Sequence, residues 1–465
     1  MTQRTKKSAN NSKLNIIHSL LLAALILITL ARPIALVYSP PGFYVDEAIG
    51  AANIISVRET GRNLRQESFP LYTLAGGGGF VTPTYMYSGV VWSAVFGDSE
   101  YAFRLHSLFY TLLAIAILMY VTYLWWGREA AIVTGLVASL IPWSWHQGVL
   151  AWDPALIPFW ISLTLAGWSY IRTRGWSTVA WGIMLAGFVG AAYTYPPTRI
   201  TVAILGPIFV LSLWKHIKSH WVSMVLGGIL AALSMVPLLQ FSLTPTALGR
   251  AGFLTVWGPG AREAFGVEGF WGGVMLAGKN MLQLSNPVFL FFSGDSNLRH
   301  GTQTGMLGLG SFSILIGALA LLFQKKKKQP KGKGKNSTRL LFVIIIVSIL
   351  ASYLGSALTW EGQPHSLRAI SAWPFYALLM GWGLSRIIHA GANYWKPVLL
   401  VYAIVTSLFL WHYHTQFIQI AGPSFDEHIR PDLIEAAKSN RPNSEIQYVG
   451  DAYTYYLIRY GDKTF

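Results

Sequence analysis

The chain has 465 residues, 53% of them hydrophobic and only 12% charged, with a mean hydropathy of +0.44. A soluble globular domain carries about 25% charged residues, so that class is excluded, and repeated apolar runs of roughly 20 residues point to a polytopic membrane protein that spans as helices. The net charge of +16 is distributed in a way that argues against nucleic-acid binding, and the absence of Cys rules out disulfides, thiol catalysis and Cys-ligated metal.

The N-terminal tail, 1–13, holds Arg4, Lys6, Lys7 and Lys13 and no acid, which places it in the cytoplasm by the positive-inside rule. The first apolar run, 14–38, is long and lacks a convincing cleavage site, so it reads as a retained signal-anchor. Pro40 and Pro41 cannot continue its helix. Asp46 and Glu47 then open a second helical pattern, with Ile49, Ala52, Ile55 and Ser56 at helical spacing, Arg58 near its end and Gly61 as a C-cap. Acids at a helix start suit the backbone dipole, so an N-cap is the plain alternative to a chemical role.

The rest of a first outer loop, 39–103, contains the run Gly76-Gly77-Gly78-Gly79 and an apolar stretch, 85–96, too short to span and expected to lie in the interface. No Lys-Ser/Thr follows the glycines and no strand precedes them in the sequence pattern, so they read as a turn rather than a phosphate loop. Further spans are expected at about 105–125, 131–147, 155–171, 178–193, 200–214 and 221–240. A second long outer loop, 241–304, leads to a span at 305–323 and a Lys-rich cytoplasmic loop, 324–339. Its Lys325–Lys328 run has no interleaved aromatics and reads as a solvated anchor, not a nucleic-acid contact. Spans at 340–358, 369–388 and 397–412 follow, and 413–465 is a short, polar outer segment. The expectation is an all-α bundle of eleven spans over 14–412 in the plasma membrane, N-terminus inside and C-terminus outside. Every acid except Glu129 then falls in an outer segment, as the cost of an acid in lipid requires.

This topology gathers Asp46, Glu47 and Asp153 on one side with Arg104, Arg199, Arg299, Arg368, His300 and His365. Taken singly, Asp153 reads as a cap for the helix opening at Pro154, and Arg104 and Arg368 as side chains snorkelling to headgroups. Together they suit a phosphorylated lipid and a nucleophile. In sugar transfer from a lipid phosphate the leaving group needs cations rather than a general acid, and the acceptor hydroxyl needs one base. That differs from glycoside hydrolysis, where two carboxyl groups share the work. No nucleotide-binding fingerprint occurs anywhere in the chain. A divalent cation is compatible with Asp46 and Asp153, but no His/Asp spacing marks a metal site.

The block Pro41-Gly42-Phe43-Tyr44-Val45-Asp46-Glu47-Ala48, with its short helix and Gly61-Arg62, resembles the first outer loop of GT-C glycosyltransferases. It is nearest in pattern to the protein O-mannosyltransferases and the lipid A aminoarabinose transferases of the family 39 type. Phe96-Gly97-Asp98-Ser99-Glu100-Tyr101-Ala102-Phe103-Arg104-Leu105 resembles the end of their loop, and Trp152-Asp153 sits where they carry a second outer acid. Tyr195 to Arg199, Phe292 to His300 and Pro364 to Ala369 are similar to bacterial members, so the resemblance spans roughly residues 14–410. It implies a polyprenyl-phosphate-linked sugar donor, inversion at the anomeric carbon, and Asp46 as the base with Glu47 in support. It further implies that Asp153 positions the acceptor or a cation. Donor-phosphate contacts are expected from Arg104, Arg199 and Arg368, and further substrate contacts from Arg299, His300 and His365.

The acceptor would be a protein, lipid or glycan hydroxyl at the outer face. Two departures stand out: Val81-Thr82-Pro83-Thr84-Tyr85 lacks the basic residue these families place before the proline, and Leu150 stands where many carry Arg. The lack of a Trp-Trp-Asp motif and of a large soluble domain after the spans argues against an asparagine-linked oligosaccharyltransferase. A ligase or polymerase of lipid-linked polysaccharide, and a transporter or flippase of lipid-linked sugars, are the competing readings.

Overall fold

The computed structural model describes residues 3–75, 79–323, 335–390 and 392–462. The Lys325–Lys328 run and Gly76–Gly78 lie outside them. The described chain is mostly helical, and each of the eleven apolar segments read from the sequence is helical over most of its length. Among the described residues, five helical stretches have the length and apolarity to cross a membrane: Glu100–Trp126, Asp153–Arg174, Lys218–Ser242, Leu340–Ala357 and Trp395–Phe425. Ser19–Ala35, Thr178–Thr194 and Pro196–Ser212 are shorter apolar helices. The protein is a polytopic membrane protein of helical-bundle architecture.

In chain order, α1 (Gln3–Ala35) leads to α2 (Val45–Thr60) and a two-stranded antiparallel hairpin, β1 (Thr73–Leu74) and β2 (Phe80–Val81). The hairpin corrects one expectation, because a short strand does precede the glycines. The stretch expected at 85–96 is α3 (Pro83–Phe96), opened by a proline in its first turn and, at 14 residues, too short to span upright. Then come α4 (Glu100–Trp126), α5 (Arg128–Leu140), α6 (Pro142–Gln147), α7 (Ile157–Arg174), α8 (Thr178–Thr194), α9 (Pro196–Ser212) and α10 (Trp214–Ser242). The second long loop holds α11 (Pro245–Leu254), α12 (Pro259–Phe265) and α13 (Gly269–Leu284), and α13 leaves Phe270, Trp271, Met275 and Leu282 exposed on its surface. Finally α14 (Leu309–Phe323), α15 (Lys335–Ala357), α16 (Trp373–Ala390) and α17 (Ala392–His412) precede the short C-terminal helices α18 (Ile418–Ala421), α19 (Arg430–Lys438) and α20 (Gly450–Tyr460).

The span expected at 131–147 is not one helix. It breaks at Ile141, because Pro142 has no N–H to continue the ladder, and restarts as α6. Every residue from Glu129 to Gln147 is buried, so this is the centre of the bundle, with α5 packed against α1, α4 and α16. The Ala138 carbonyl that Pro142 leaves open accepts from the Ser144 hydroxyl, and other backbone groups of α6 find partners outside it. Arg32 of α1, itself buried, donates to the Ser144 carbonyl at 2.7 Å and lies over the Trp145 ring at 5.1 Å. The Trp143 N–H donates to the Met306 carbonyl at 2.9 Å.

The described part of the C-terminal segment, 413–462, packs onto the bundle. Its last helix packs on α2, and α19 packs on α20. Tyr455, Tyr456 and Phe425 are fully buried against Phe43 and Tyr44. Gly42 (φ 59°) is required at this contact, since a Cβ there would run into the Phe425 carbonyl.

Replacing Arg32 by Met keeps the apolar packing but leaves the Ser144 carbonyl without its donor. The expected cost is about 1–3 kcal/mol, read as a lower unfolding temperature of the detergent-solubilised protein; an unchanged transition would show that the α1–α6 link contributes nothing.

Candidate active site

Asp46 and Glu47 are adjacent in sequence and opposite in environment. From Glu47 to Val57 every residue of α2 is buried, whereas the Asp46 side chain reaches solvent. The helix ends as the sequence suggests, with Gly61 at φ 70° and its N–H on the Val57 carbonyl. Arg58 is tied to Asp98 by two hydrogen bonds of 2.6 and 2.9 Å.

Glu47 is fully engaged. Its carboxylate accepts from Arg104 Nε at 2.9 Å and Nη2 at 2.7 Å, from the Ala151 N–H at 2.8 Å and, more weakly, from the Tyr44 N–H at 3.4 Å. The third Arg104 nitrogen donates to the Pro40 carbonyl at 2.6 Å. Both side chains of the pair are buried. Glu47 therefore fastens α2 to α4, to the turn after the first apolar helix and to the segment that carries Asp153. Arg104, expected to meet a donor phosphate, has three of its five N–H donors committed to this strut. Its other side borders a cavity of about 660 Å³ shared with Pro40, Pro41, Glu100, Arg430 and Arg459.

Asp46 faces a different set. Protein surrounds its carboxylate on most sides even though it reaches water, and this desolvation raises its pKa above the ordinary carboxylate value, while Arg299 and Arg250 pull the other way. Asp153, at the head of the one-turn helix Asp153–Leu156, lies close enough to Asp46 to feel its charge. Tyr44 is buried within reach of both charges, its ring 5.0 Å from the Arg299 guanidinium and edge-on to Trp152 at 5.9 Å. Burial and the Asp46, Glu47 and Asp153 charges push its phenol well above the usual value.

Arg299 is held by Nε on the Ser424 carbonyl at 2.7 Å, and its own carbonyl accepts from or lies against His146 Nε2 at 3.1 Å. Gln147 reaches the next carbonyl, that of His300, at 2.6 Å. The restart at α6 thus grips the backbone of both residues. His300 stacks on His365, with centroids 4.5 Å apart, and lies 5.9 Å from Trp152. Burial first, then Arg368, push His300 down to about 3, and burial with His300 and Arg368 pushes His365 well below the usual value, so both rings are neutral at physiological pH. Asp295, His300 and His365 offer ligand atoms that all lie within 4.8 Å of one another, a set chemically suited to a divalent cation. The cation expected beside Asp46 and Asp153 has a better-formed alternative here.

Arg368 hydrogen-bonds Thr359 at 2.7 Å and pairs with Glu361 at 2.9 Å, while its charge reaches His300 and His365. Arg199 binds Tyr72 at 3.2 Å, Ser242 at 3.1 Å and the Ala192 carbonyl at 3.3 Å, at the far edge of the site. Four contributors were not singled out by sequence. Arg250 lies beside Asp46, Tyr44 lies within reach of both acids' charges, Asp295 completes the histidine pair, and Asp426 accepts from the Val45 N–H at 3.0 Å and from the Tyr448 hydroxyl at 2.8 Å. Asp295 alone had a visible signal, sitting five residues before His300 in a polar loop.

No protein-family model matches the chain, and no curated protein matches it by sequence. Solved structures do match by fold. The crystal structure of ArnT from Cupriavidus metallidurans bound to undecaprenyl phosphate superposes with a TM-score of 0.55 at 15% identity, over 95% of this chain and 84% of that one. The oligosaccharyltransferase of Archaeoglobus fulgidus, in complex with Zn and sulfate, gives a TM-score of 0.51 at 12% identity, over 94% of this chain and 57% of that one. The chain therefore shares its fold with these two proteins.

The two adjacent acids separate experimentally. Glu47→Ala leaves Arg104 buried without its partner and is expected to cost about 3–5 kcal/mol. Asp46→Asn removes a carboxylate whose folded pKa lies above its unfolded one. Such a group favours the native state only below its unfolded pKa and opposes it as pH rises through the folded value. The Asn variant is thus expected to be at least as stable as the parent at neutral pH and to lose that advantage in acid, measured as unfolding temperature against pH.

Proposed function

We propose that the protein is a glycosyltransferase that moves a sugar from a polyprenyl-phosphate carrier to an acceptor hydroxyl at the outer face of the membrane. The carrying observation is Asp46: a solvent-reaching carboxylate with a raised pKa at the head of an otherwise buried helix, flanked by Arg299 and Arg250 and close to a second acid. The shared fold with a protein solved with undecaprenyl phosphate supports the carrier class.

In the proposed step the acceptor oxygen attacks the anomeric carbon from the face opposite the phosphate. The new C–O bond forms as the anomeric C–O(phosphate) bond breaks, giving inversion. The electron pair leaves on the phosphate oxygen, and the acceptor proton passes to Asp46. A carboxylate with a raised pKa is, in its ionised form, a stronger base than an ordinary one. The leaving phosphate needs cations, not an acid. Arg299 serves that role best, because it faces Asp46 across Tyr44. Arg250 and Arg368 extend the positive wall, and Arg199 closes its far side. Glu47 and Arg104 hold the frame, and Asp153 orients the acceptor. The N-terminus lies in the cytoplasm, and α2 lies outside.

The test is transfer by the purified, reconstituted protein with polyprenyl-phosphate sugars as donors. Asp46→Asn is expected to lower kcat by about 10²–10⁴-fold with stability retained; full activity in that variant would remove the proposal. Since Asp46 must be ionised, the acidic limb of the parent's pH–rate profile is expected above the ordinary carboxylate range near 4. Orientation is tested separately. The chain has no Cys, so a single Ser68→Cys on the exposed rim after α2 reports its side directly. Labelling by a membrane-impermeant maleimide in intact cells is expected, and protection until lysis would place the site in the cytosol.

A further inference from the structure

Three side chains from two distant loops meet beside the candidate active site. Asp295 and His300 come from the loop between α13 and α14, and His365 from the loop between α15 and α16. Asp295 Oδ2 lies 3.7 Å from His300 Nδ1, and the His300 and His365 rings are stacked. All three are largely buried, with Asp295 2% and His365 7% exposed, which separates them from the acidic clusters common on surfaces. His365 Nδ1 is enclosed without a hydrogen-bond partner, an unusual condition for a buried polar atom.

The geometry points to a binding site for one divalent ion of the zinc class, and we propose that Asp295, His300 and His365 are its ligands. Two imidazoles and one carboxylate form a donor set that favours zinc-like ions over magnesium or calcium, which prefer oxygen alone. Three protein ligands leave a fourth tetrahedral position for water or a substrate oxygen. Zinc ligands lie at about 2.0–2.2 Å from the metal, so binding draws together ligand atoms that now lie within 4.8 Å of one another and turns the stacked rings toward a common point. Asp295 is already oriented for the task. The Ser366 N–H and hydroxyl each donate to Oδ2 at 2.8 Å, and the Asn297 N–H donates to Oδ1 at 2.9 Å. An ionised carboxylate has about four acceptor sites, so one remains for the metal. Such donors behind a ligand fix its direction and typically contribute 10–100-fold to affinity. Arg368 and Arg299 are nearby cations opposing a metal, and the pairing of Arg368 with Glu361 at 2.9 Å offsets its share of that opposition.

A bound ion would join the two loops across the bundle and hold His300, and with it the neighbouring Arg299, against Trp152. It stands apart from the transferase reading, because it requires no substrate.

The experiment uses the full chain, purified in detergent, stripped with a chelator and titrated with Zn²⁺ alone and with Co²⁺ alone. One Zn²⁺ per chain by elemental analysis, a higher unfolding temperature on Zn²⁺ addition, and the visible absorption of tetrahedral Co²⁺ are expected. His300→Gln and His365→Gln are each expected to lower Zn²⁺ affinity at least 100-fold at unchanged helix content. The chain has eleven His in all, so adventitious uptake elsewhere would survive the double variant. If the parent takes up no stoichiometric Zn²⁺, or the double variant binds it as tightly as the parent, the site is refuted. The parent's metal content decides the matter even if a variant fails to fold.

Discussion

The buried pair between Glu47 and Arg104 is the interaction on which the rest of the site depends. Fifty-seven positions separate its members, and their contact fixes where the first loop re-enters the bundle. The carboxylate also takes the Ala151 N–H, so one side chain sets the positions of α2, α4 and the Asp153 segment together. A buried ion pair of this kind contributes little net stability compared with apolar packing, but removing one partner is costly. Its value here is geometric. It holds Asp46 in a single place while leaving that carboxylate unencumbered.

The two acids also show how burial divides labour between neighbours. Glu47 has every lone pair directed at a donor from the protein itself, so it has no capacity left for chemistry. Asp46 reaches solvent, and desolvation raises its basicity while Arg299 and Arg250 pull the other way. A phosphate approaching those arginines and a hydroxyl approaching the carboxylate would meet between them. Tyr44 and Trp152 form the apolar partition that separates Asp46 from the histidine cluster.

Much of the frame was legible in the sequence because its causes are local. Apolar runs of sufficient length became helices, Pro40 and Pro41 ended the first of them, and Gly61 capped α2 in the left-handed conformation that glycine accepts most readily. Asp46, Asp153, Arg299, His300, His365 and Arg368 were picked out by side and composition, and the fold gathers them. The remainder depended on contacts that no local pattern encodes. Arg104 looked like an open cation, and only the tertiary contact shows that Glu47 occupies it. Pro142 offered a visible reason for a break in the 131–147 run, yet an apolar stretch of span length outweighed it. Asp295 stood in a polar loop with nothing to link it to residue 365. The C-terminal segment read only as short, polar and outside, because its tyrosines and Phe425 acquire their meaning only against Phe43 and Tyr44.

That last contact bears on the order in which the protein matures. The N–H of Val45, one residue ahead of Asp46, is satisfied by Asp426, and the Phe43 carbonyl by Tyr456. These partners leave the ribosome some four hundred residues later, after the intervening hydrophobic helices. The helix that carries Asp46 is thus among the earliest parts of the chain to be synthesised and among the last to acquire its complete surroundings. A nascent chain halted before the final helices would hold the candidate base in an unfinished setting, which confines the competent arrangement of this site to fully translated molecules.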